Sequence, residues 1–566
     1  MKKILTSRFD WLFVTMLIIA VNWVASRYHY RADLTAEKRY TLGEPTKKLL
    51  GNLDDEIDID VFLTGNLKSG IRNLSQKTEE LLSEFREYGK GRIEFRFFDP
   101  LTELDDSAKA NFLDSLGRMG IERMTQVAQS KKGDEQSQRI VLPGAIVKYK
   151  GRVFPVNLLK GVRNPDENSL YNNAEAQLEY KFASAIDKIT QKEIPSVAYV
   201  LGNGEPLDFR VYDLIEDMRK NYALHILRLD SFPYIPPTFK TIVIVRPTRK
   251  FSESDKLKLD QYVMRGGNVI WFVDNLLAEM DSLRMDRSTV AYDRGLNLED
   301  FFFRAGARIN LDLVQDMQCA SINFVVGMQG DKPQMQLLPW PYYPLLDGSL
   351  FHPISKNLDP VYGKFANSLD TVKANGIQKT VLLQTSVNGR SISTPALISF
   401  ESVKVANDPA VFNRPNIPVA VLLEGKFNSL FANRISSTLA DTLATLYKQP
   451  FLPSGQRDAK MIICADAGVA TNEVTQNGPI ALGMNKDINY SFANQDFIGN
   501  CLEYMVNPSG ILEARSKDFT LRMLDPKKTE EDRGFWQLVN VALPISLILL
   551  SGLIYQALRT RKYGRA

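Results

Sequence analysis

The residues of this sequence that are best placed to do chemistry stand where two apolar runs end. The turn Gly202–Glu205 follows the run Ser196–Leu201, and Asp274 follows the run Asn268–Val273. In open α/β sheets, ligands bind beyond the carboxyl ends of the parallel strands. Backbone amides in a glycine-rich turn can hold an anion, and the carboxylate of Glu205 can bond a partner group. The predicted ligand- or partner-binding residues are Gly202, Asn203, Gly204, Glu205 and Asp274.

A structural tight turn is the competing explanation of Gly202–Glu205, because the segment is not a full Gly-x-Gly-x-x-Gly fingerprint. The chain has no Gly-x-x-x-x-Gly-Lys-Ser/Thr loop, so it does not bring its own ATP-binding site. Neither Gly-x-Ser-x-Gly nor Gly-x-Cys-x-Gly occurs, which disfavours a hydrolase or amidotransferase with its nucleophile at a strand–helix elbow. We therefore predict no catalytic residues, no cofactor and no enzymatic activity.

The three cysteines and three histidines are dispersed along the chain and show neither metal-ligand nor Cys-x-x-Cys spacing. They are Cys319, Cys464, Cys501, His29, His225 and His352. This spacing favours three buried thiols over a disulfide and predicts no metal site. An amidotransferase-like enzyme, kept as an unfavoured alternative, would need Cys464 or Cys501 close to His225.

Short runs rich in β-branched residues alternate with amphipathic segments from residue 194 to 274, which predicts strand, helix, strand, helix, strand. This order favours right-handed crossovers and a mostly parallel, doubly wound α/β sheet that needs cover on both faces. Further buried strands are predicted at 381–385, 419–423 and 461–464, and a helix is predicted at 494–505.

The region before the central sheet reads as a β-α-β unit followed by a hairpin. Alternating strands are predicted at 57–63 and 93–97, a helix lies between them, and the hairpin spans 144–156. This order is compatible with a thioredoxin-like domain at 27–190. No cysteine pair stands at the start of the helix, so redox chemistry has no nucleophile there.

Both ends of the chain carry apolar segments. Residues 9–26 are predicted to be a retained membrane anchor, with a cleaved signal peptide as the alternative. Residues 535–558 are bordered by aromatic side chains and followed by a basic cluster, which predicts a second span with a cytoplasmic tail. Both termini, 1–8 and 559–566, would be cytoplasmic, with the body at 191–510 and a stalk at 511–534 outside the cytoplasm.

The net charge argues against nucleic acids as partners, and one aromatic segment could contact a protein. At 566 residues with a net charge of +4, the chain is close to charge balance and shows no nucleic-acid footprint. The aromatic, proline-rich segment 337–343 is predicted to be a packed loop, with an exposed partner surface as the alternative.

Four further motifs occur in order along the chain. They are Asp33-Leu34-Thr35, Arg39-Tyr40-Thr41-Leu42, Tyr262-Val263-Met264-Arg265-Gly266-Gly267 and the segment from Asn494 to Leu502. With the turn Gly202–Glu205, this ordered set resembles the GldG family, the auxiliary or so-called substrate-binding component of the gliding-motility-associated ABC transporter. The family turn usually reads Gly-His-Gly-Glu, and here it is Gly202-Asn203-Gly204-Glu205. The missing His argues against catalytic use of that position.

The resemblance spans essentially the whole chain and carries several expectations. It implies a class I glutamine amidotransferase-like fold at 191–510 without the catalytic cysteine. It implies a complex in the inner membrane with a GldF-like permease and a GldA-like cytoplasmic ATPase, and a link to gliding or secretion machinery. The favoured prediction is a non-catalytic, two-span subunit with a large periplasmic domain. A structural or mechanical envelope scaffold that binds only proteins is the first alternative.

Overall fold

The computed structural model describes residues 10–27, 41–65, 67–101, 105–121, 123–129, 136–159, 167–286, 288–329, 332–406, 408–516 and 532–563. Two compact units divide the chain, Met1–Asp518 and Phe519–Ala566. The first unit contains an α/β body, and the described part of the second forms one long helix.

The helices are α1 (Asp10–Arg27), α2 (Glu44–Gly51), α3 (Ser69–Tyr88), α4 (Asp106–Arg118), α5 (Glu167–Thr190), α6 (Tyr212–Asn221), α7 (Glu253–Met264), α8 (Met280–Asp286), α9 (Glu299–Ala305), α10 (Ser437–Thr445), α11 (Asn494–Val506) and α12 (Arg533–Tyr563). The strands of the N-terminal region are β1 (Ile57–Val61), β2 (Ile93–Phe97), β3 (Met124–Gln129), β4 (Gln136–Val141), β5 (Gly144–Tyr149) and β6 (Arg152–Asn157).

The strands of the central region follow in order. They are β7 (Ser196–Leu201), β8 (Ala223–Arg228), β9 (Thr241–Val245), β10 (Asn268–Phe272), β11 (Leu276–Leu277), β12 (Ser288–Asp293), β13 (Ala307–Ile309), β14 (Asp312–Asp316), β15 (Cys319–Gln329), β16 (Lys332–Gly348), β17 (Val361–Tyr362), β18 (Leu369–Thr371), β19 (Ile377–Gln384), β20 (Gly389–Ser393), β21 (Ala396–Ser399), β22 (Pro418–Gly425), β23 (Ala459–Cys464), β24 (Val474–Thr475), β25 (Gly478–Pro479), β26 (Met484–Asn485) and β27 (Tyr490–Ser491).

The predicted β-α-β unit and hairpin form a small sheet in the N-terminal part of the body. Its strands pair in the order β2-β1-β5-β6, with β2 parallel to β1 and β5 antiparallel to both of its neighbours. Helix α3 crosses from β1 to β2 and buries Ile71, Leu82 and Phe85. The helix that the spacing of apolar residues predicts is therefore confirmed, and its apolar face is the one that it buries.

Ten strands of the described residues form one mixed sheet around the segment 194–274. Their order is β15-β16-β19-β22-β23-β10-β9-β7-β8, with β17 attached to β16. Strands β8, β7, β9, β10 and β23 are parallel, whereas β22, β19 and β16 continue the sheet in antiparallel pairs. The prediction of a mostly parallel sheet therefore holds for one half only. The sequence pattern misses β8, because His225 interrupts its short apolar run.

Both faces of the parallel half are buried. Val197 and Tyr199 of β7 belong to a core cluster that includes side chains of α6 and α11, whereas Ala198 and Val200 belong to a second cluster with α7 and α9. This alternation is what two covered faces require of a strand. Helices α6 and α7 lie on opposite faces, so the sheet has its topological switch point between β7 and β9.

The aromatic segment 337–343 lies within strand β16 and does not form the predicted packed loop. Trp340 and Tyr342 are fully buried, and Tyr343 is nearly so. Trp340 packs against Phe324, with ring centroids 5.7 Å apart, and against Phe400 at the same distance. Trp340, Tyr342 and Tyr343 therefore belong to the hydrophobic core and do not form an exposed partner surface.

The segment after α11 packs on the N-terminal part of the body. Ile511 is buried in the core cluster of the N-terminal sheet, and residues 511–516 form a 3-10 helix. The Glu503 carboxylate lies 3.5 Å from the ammonium of Lys188 on α5. The first residues of the predicted stalk are thus part of the body, and residues 517–531 lie outside the described residues.

The apolar segments at the two ends of the chain are both helical. Among the described residues, one helix is long and apolar enough to cross a membrane, and it spans Arg533–Arg561. The predicted C-terminal span at 535–558 lies inside it. Residues Asp10–Arg27 form α1, so the predicted anchor at 9–26 is helical from Asp10 onwards. Its role as a membrane span stays a prediction.

Candidate binding site

The parallel strands β7, β9, β10 and β23 end at one edge of the central sheet. The residues that follow them are Gly202, Arg246, Asp274 and Asp466, the last two after one further extended residue each. Because these strands are parallel, their carboxyl ends and the loops that follow share one side of the body. This edge holds every binding residue that the sequence predicts.

The turn Gly202–Glu205 is built by glycine conformations. Gly202 has φ +136° and Gly204 has φ +88°, which side chains other than glycine rarely adopt. A Cβ at Gly204 would lie 2.1 Å from Thr248 Oγ1. The carbonyl of Asn203 accepts hydrogen bonds from the amides of Thr248 (2.9 Å) and Arg249 (2.8 Å). The turn therefore clamps the loop that follows β9.

The carboxylate of Glu205 folds back onto its own turn. Glu205 Oε2 accepts a hydrogen bond from the amide of Asn203 at 2.8 Å, and both side chains are buried. Burial raises the pKa of Glu205 to about 7, against the opposing effect of the backbone amides of Gly202, Asn203 and Glu205. The amides that the sequence predicts as an anion site thus already face a carboxylate of the chain. This geometry agrees with the structural tight turn that the sequence left open.

Asp274 lies in a different environment from that turn. Its Oδ1 accepts a hydrogen bond from the amide of Ala467 at 2.7 Å, and its Oδ2 lies 3.3 Å from Arg246 Nε. Arg246 also lies 3.0 Å from Glu279. Burial raises the pKa of Asp274, and Arg246 opposes this rise. Asp274 therefore bonds to the loops after β9 and β23, but not to the turn after β7.

Asp274 lines a cavity of about 440 Å³ that we call the charged cleft. Its wall also contains Arg210, Arg246, Glu279, Lys364, Glu473 and Lys486. Its cations are paired with acids: Lys364 Nζ lies 3.9 Å from Glu473, which also pairs with Lys486. Gly202, Asn203, Gly204 and Glu205 do not line it. The structure thus brings Asp274 alone of the five predicted residues to this cleft.

Asp466 is a functional candidate that the sequence reasoning missed. Its side chain is fully buried, and its two oxygens accept hydrogen bonds from the amides of Lys364 and Gly468, both at 2.7 Å. Burial and the nearby Asp274 carboxylate raise the pKa of Asp466 to about 8. The signal was present, because Asp466 follows the predicted strand 461–464 as Asp274 follows its own strand.

The thiols do not support the amidotransferase alternative. Cys464 and Cys501 are fully buried, and burial raises the pKa of both thiols well above its usual range. His225 is exposed on the edge strand β8, which is separated from β23, the strand of Cys464, by β7, β9 and β10. At about 4.8 Å between neighbouring strands, this separation is roughly 19 Å. Cys464 and His225 are therefore not within reach of each other.

Two family models match the chain. One, described as an ABC-type uncharacterized transport system, covers residues 194–501, which contain the ten-stranded sheet and the charged cleft. The chain belongs to this family. The second, described as a domain of unknown function, DUF7088, covers residues 36–148 in the N-terminal part of the body. Membership in the first family, whose proteins are transport-system auxiliaries, associates the chain with the components of an ABC transporter.

Two solved structures show distant similarity. The N-terminal domain of mmIFT52 is 12% identical over 55% of this chain and 97% of its own, with a TM-score of 0.30. The exo-beta-1,4-mannosidase Op5Man5 from Opitutaceae bacterium strain TAV5 is 9% identical over 85% of this chain and 56% of its own, with a TM-score of 0.19. Scores this low support no inference about fold or function. No curated protein matches the chain.

Proposed function

We propose that this protein is the GldG-like, non-catalytic auxiliary subunit of a gliding-motility-associated ABC transporter. It would act with a GldF-like permease and a GldA-like cytoplasmic ATPase, and with the gliding or secretion machinery. The observation that carries this proposal is the family match over residues 194–501. The proposed location is the inner membrane, with α1 and α12 as spans, the body in the periplasm and both termini in the cytoplasm.

The fold proposals that accompany this function rest on strand order. The sheet order β2-β1-β5-β6 with antiparallel β5 supports a thioredoxin-like domain at 27–190. The order β8-β7-β9-β10-β23 follows the 2-1-3-4-5 pattern of doubly wound sheets, which supports an amidotransferase-like domain at 191–510. Asp33-Leu34-Thr35, one motif of the resemblance, lies outside the described residues.

One motif of the resemblance has a packing explanation in this fold. Gly266 has φ +90° and ends α7, and a Cβ at Gly267 would lie 2.3 Å from the ring of Tyr262. The hydroxyl of Tyr262 donates a hydrogen bond to the carbonyl of Phe239 at 3.1 Å. The Tyr-Val-x-x-Gly-Gly pattern thus fixes the turn into β10, which ends at the charged cleft. The fold needs both glycines at this turn, and the presence of the motif supports the proposed family.

The charged cleft is the proposed binding site for the transported molecule or an envelope partner. It lies beside the topological switch point, where doubly wound sheets bind ligands. Its cations and acids neutralise one another in the pairs Arg246–Asp274 and Lys364–Glu473. A polar ligand that enters would replace such pairs with its own hydrogen-bonding groups, so binding needs no catalytic residue. The Gly202–Glu205 turn would shape the neighbouring loop.

An envelope scaffold is the second candidate, and one surface favours it. Leu207, Phe209 and Tyr212 are each about half exposed after the Gly202–Glu205 turn, and the rings of Phe209 and Tyr212 lie 6.4 Å apart. Exposed aromatic side chains anchor protein interfaces. A protein partner that binds here would need no transported ligand.

Affinity purification tests the proposed function. We would purify the tagged full-length chain in mild detergent, identify the co-purified proteins by mass spectrometry and assay the eluate for ATPase activity. A permease and an active ATPase are the expected partners. A matched control replaces α12 with an unrelated apolar helix of equal length, and this variant should lose the permease if α12 docks on it. Recovery of envelope proteins without an ATPase would reject the transporter proposal and support the scaffold.

A further inference from the structure

A second cavity lies at the opposite edge of the ten-stranded sheet from the charged cleft. It has a volume of about 980 Å³, and Ile377 and Asn428 are among its lining residues. Ile377 begins β19 and pairs with Gly425 at the end of β22, which in turn pairs with Ala459 at the start of β23. The cavity is therefore found where the parallel strands begin. No prediction from the sequence involves it.

Basic side chains dominate this second cavity, which we call the basic cleft. Its charged lining residues are the cations Arg304, Arg308, Lys373 and Arg434 and the acids Glu299 and Asp300. Arg308 and Arg434 have side chains that are each 56% exposed. Cationic residues thus outnumber acidic ones, although the chain as a whole is close to charge balance.

The pairing inside the body leaves part of this charge uncompensated. Asp300 lies 3.1 Å from Arg434 Nη1, but it also lies 3.0 Å from the ammonium of Lys256, whose side chain is only 1% exposed. Lys256 also lies 2.6 Å from Glu253, and Arg308 pairs with Asp370 at 2.6 Å. Lys373 is exposed and forms no ion pair with the described residues around the cleft. The charge of Lys373 is therefore available to a carboxylate of a partner.

The same cleft presents apolar surface beside its cations. Phe303 is 57% exposed and Leu311 is 43% exposed, and both line the cavity. Arginines next to an exposed aromatic ring are typical of the anchors of protein interfaces. A free inorganic anion would leave the apolar part unused, whereas a peptide with alternating acidic and apolar side chains would match both parts.

We propose that the basic cleft docks an acidic, apolar segment of a partner protein. The carboxylates of the segment would pair with Arg308, Lys373 and Arg434, and its apolar side chains would cover Phe303. This docking site is distinct from the charged cleft, so it can hold a partner while that cleft is occupied.

Fluorescence anisotropy with the full-length chain in detergent tests the proposal. The probe is a short labelled peptide of alternating Glu and Leu, and the matched probes carry Lys or Gln in place of Glu. We expect binding of the Glu/Leu peptide but not of the Lys/Leu or Gln/Leu peptide, weakened as salt rises from about 0.05 M to about 0.5 M. A pure Glu peptide should bind more weakly than the Glu/Leu peptide. Lys373→Glu should weaken binding of the Glu/Leu peptide roughly fivefold or more, because it places an anion where the peptide's carboxylates would pair with a cation. This reversal breaks no ion pair of the described residues, so the fold should be kept. Phe303→Ser should weaken binding of the Glu/Leu peptide too, without changing the affinity for a pure Glu peptide.

The control variant is Arg228→Glu, which reverses an exposed charge on the edge strand β8, and it should change the affinity less than twofold. Circular dichroism and thermal unfolding would establish that each variant is folded. Binding of the Lys/Leu peptide, equal binding by Lys373→Glu, or no binding of the Glu/Leu peptide would each overturn the proposal. Binding of a sulfated oligosaccharide in place of the peptides would also overturn it, since it would identify a polyanion site without apolar recognition.

Discussion

The guanidinium Nε of Arg246 lies 3.3 Å from the Oδ2 of Asp274, which ties together the ends of two neighbouring parallel strands. The other oxygen of Asp274 accepts a hydrogen bond from the amide of Ala467, which follows a third strand. One carboxylate thus joins the loops after β9, β10 and β23 at the charged cleft. Arg246 reaches it from a left-handed backbone conformation with φ +48°.

We expect Arg246→Met to destabilise the body by about 1–3 kcal/mol near pH 8, because it removes the paired cation from the partly buried Asp274 carboxylate. Arg246 opposes the rise that burial causes in the pKa of Asp274, so its loss raises that pKa further. At lower pH Asp274 takes up a proton, and the difference between the variant and the wild type should shrink. Thermal unfolding of the detergent-solubilised chain from pH 5 to pH 8 measures this. A difference that is constant with pH would contradict the role assigned to Arg246.

Asp466 should make the body less stable as the pH rises from about 4 to about 8. Its pKa is raised to about 8 by burial and by Asp274, whereas in the unfolded chain it ionises near its usual pKa. Within that window unfolding releases a proton, so the free energy of unfolding falls by at most about 1.4 kcal/mol per pH unit. Asp466→Asn should flatten this slope in a plot of unfolding free energy against pH. Asp230→Asn, which changes an exposed carboxylate, is the control and should leave the slope unchanged.

The helices and strands around the site could be predicted, because each carries one strong period. Strands β7 and β10 match the predicted runs to within one residue, and α11 matches its predicted helix at 494–505. The antiparallel half of the sheet could not be predicted, because buried strands such as β22 read alike in either direction. The prediction of a packed loop at 337–343 was wrong. The prolines of this segment are typical of a loop, but the tertiary packing of Trp340 and Tyr342 holds it as a strand.

The sequence was sufficient to predict at which edge of the sheet the candidate site lies, but not which side chains line it. Strand ends are visible in the sequence, so Asp274 could be placed at the correct edge. The sequence does not reveal that the Glu205 carboxylate folds back onto the amide of Asn203, because no local pattern shows that this turn is buried. Lys364 and Glu473 come to the charged cleft from loops far apart in the chain, and no local pattern marks them.

Gly204→Ala should destabilise the body more than Gly151→Ala does. Both glycines have positive φ, +88° and +77°, so both variants pay about 1 kcal/mol for the left-handed conformation. A Cβ at Gly151 meets open space, whereas one at Gly204 would lie 2.1 Å from Thr248 Oγ1, which adds about 1–3 kcal/mol. Thermal unfolding measures both. Adding Thr248→Ala to Gly204→Ala should restore part of the loss; no recovery would mean that the clash is not the cause.

Glu503→Ala should destabilise the body by about 3–5 kcal/mol, because it removes a buried carboxylate from a polar cluster. Glu503 accepts a hydrogen bond from Asn507 Nδ2 at 3.0 Å and one from Tyr222 Oη at 3.3 Å, and it pairs with Lys188. Glu503→Gln keeps hydrogen-bonding oxygen at the same place and should cost less. Limited proteolysis should cut the alanine variant sooner between α5 and β7. Thermal unfolding of Glu503→Gln at the wild-type temperature would show that the charge is not needed, whereas equal unfolding of the two variants would show that the retained oxygen contributes nothing.

Truncation after residue 532 tests whether residues 9–26 are a retained membrane anchor or a cleaved signal peptide. This variant lacks α12, the candidate span among the described residues. If α1 is a span, the truncated protein stays in the membrane fraction and keeps its first residues, because an apolar helix of 18 residues can cross a slightly thinned bilayer. The matched control replaces residues 1–27 of the truncated chain with a known cleavable signal peptide, which should release the body in soluble form. Release of the truncated chain itself, with a mature N-terminus near Ser26, would make the first segment a signal peptide and leave α12 as the anchor.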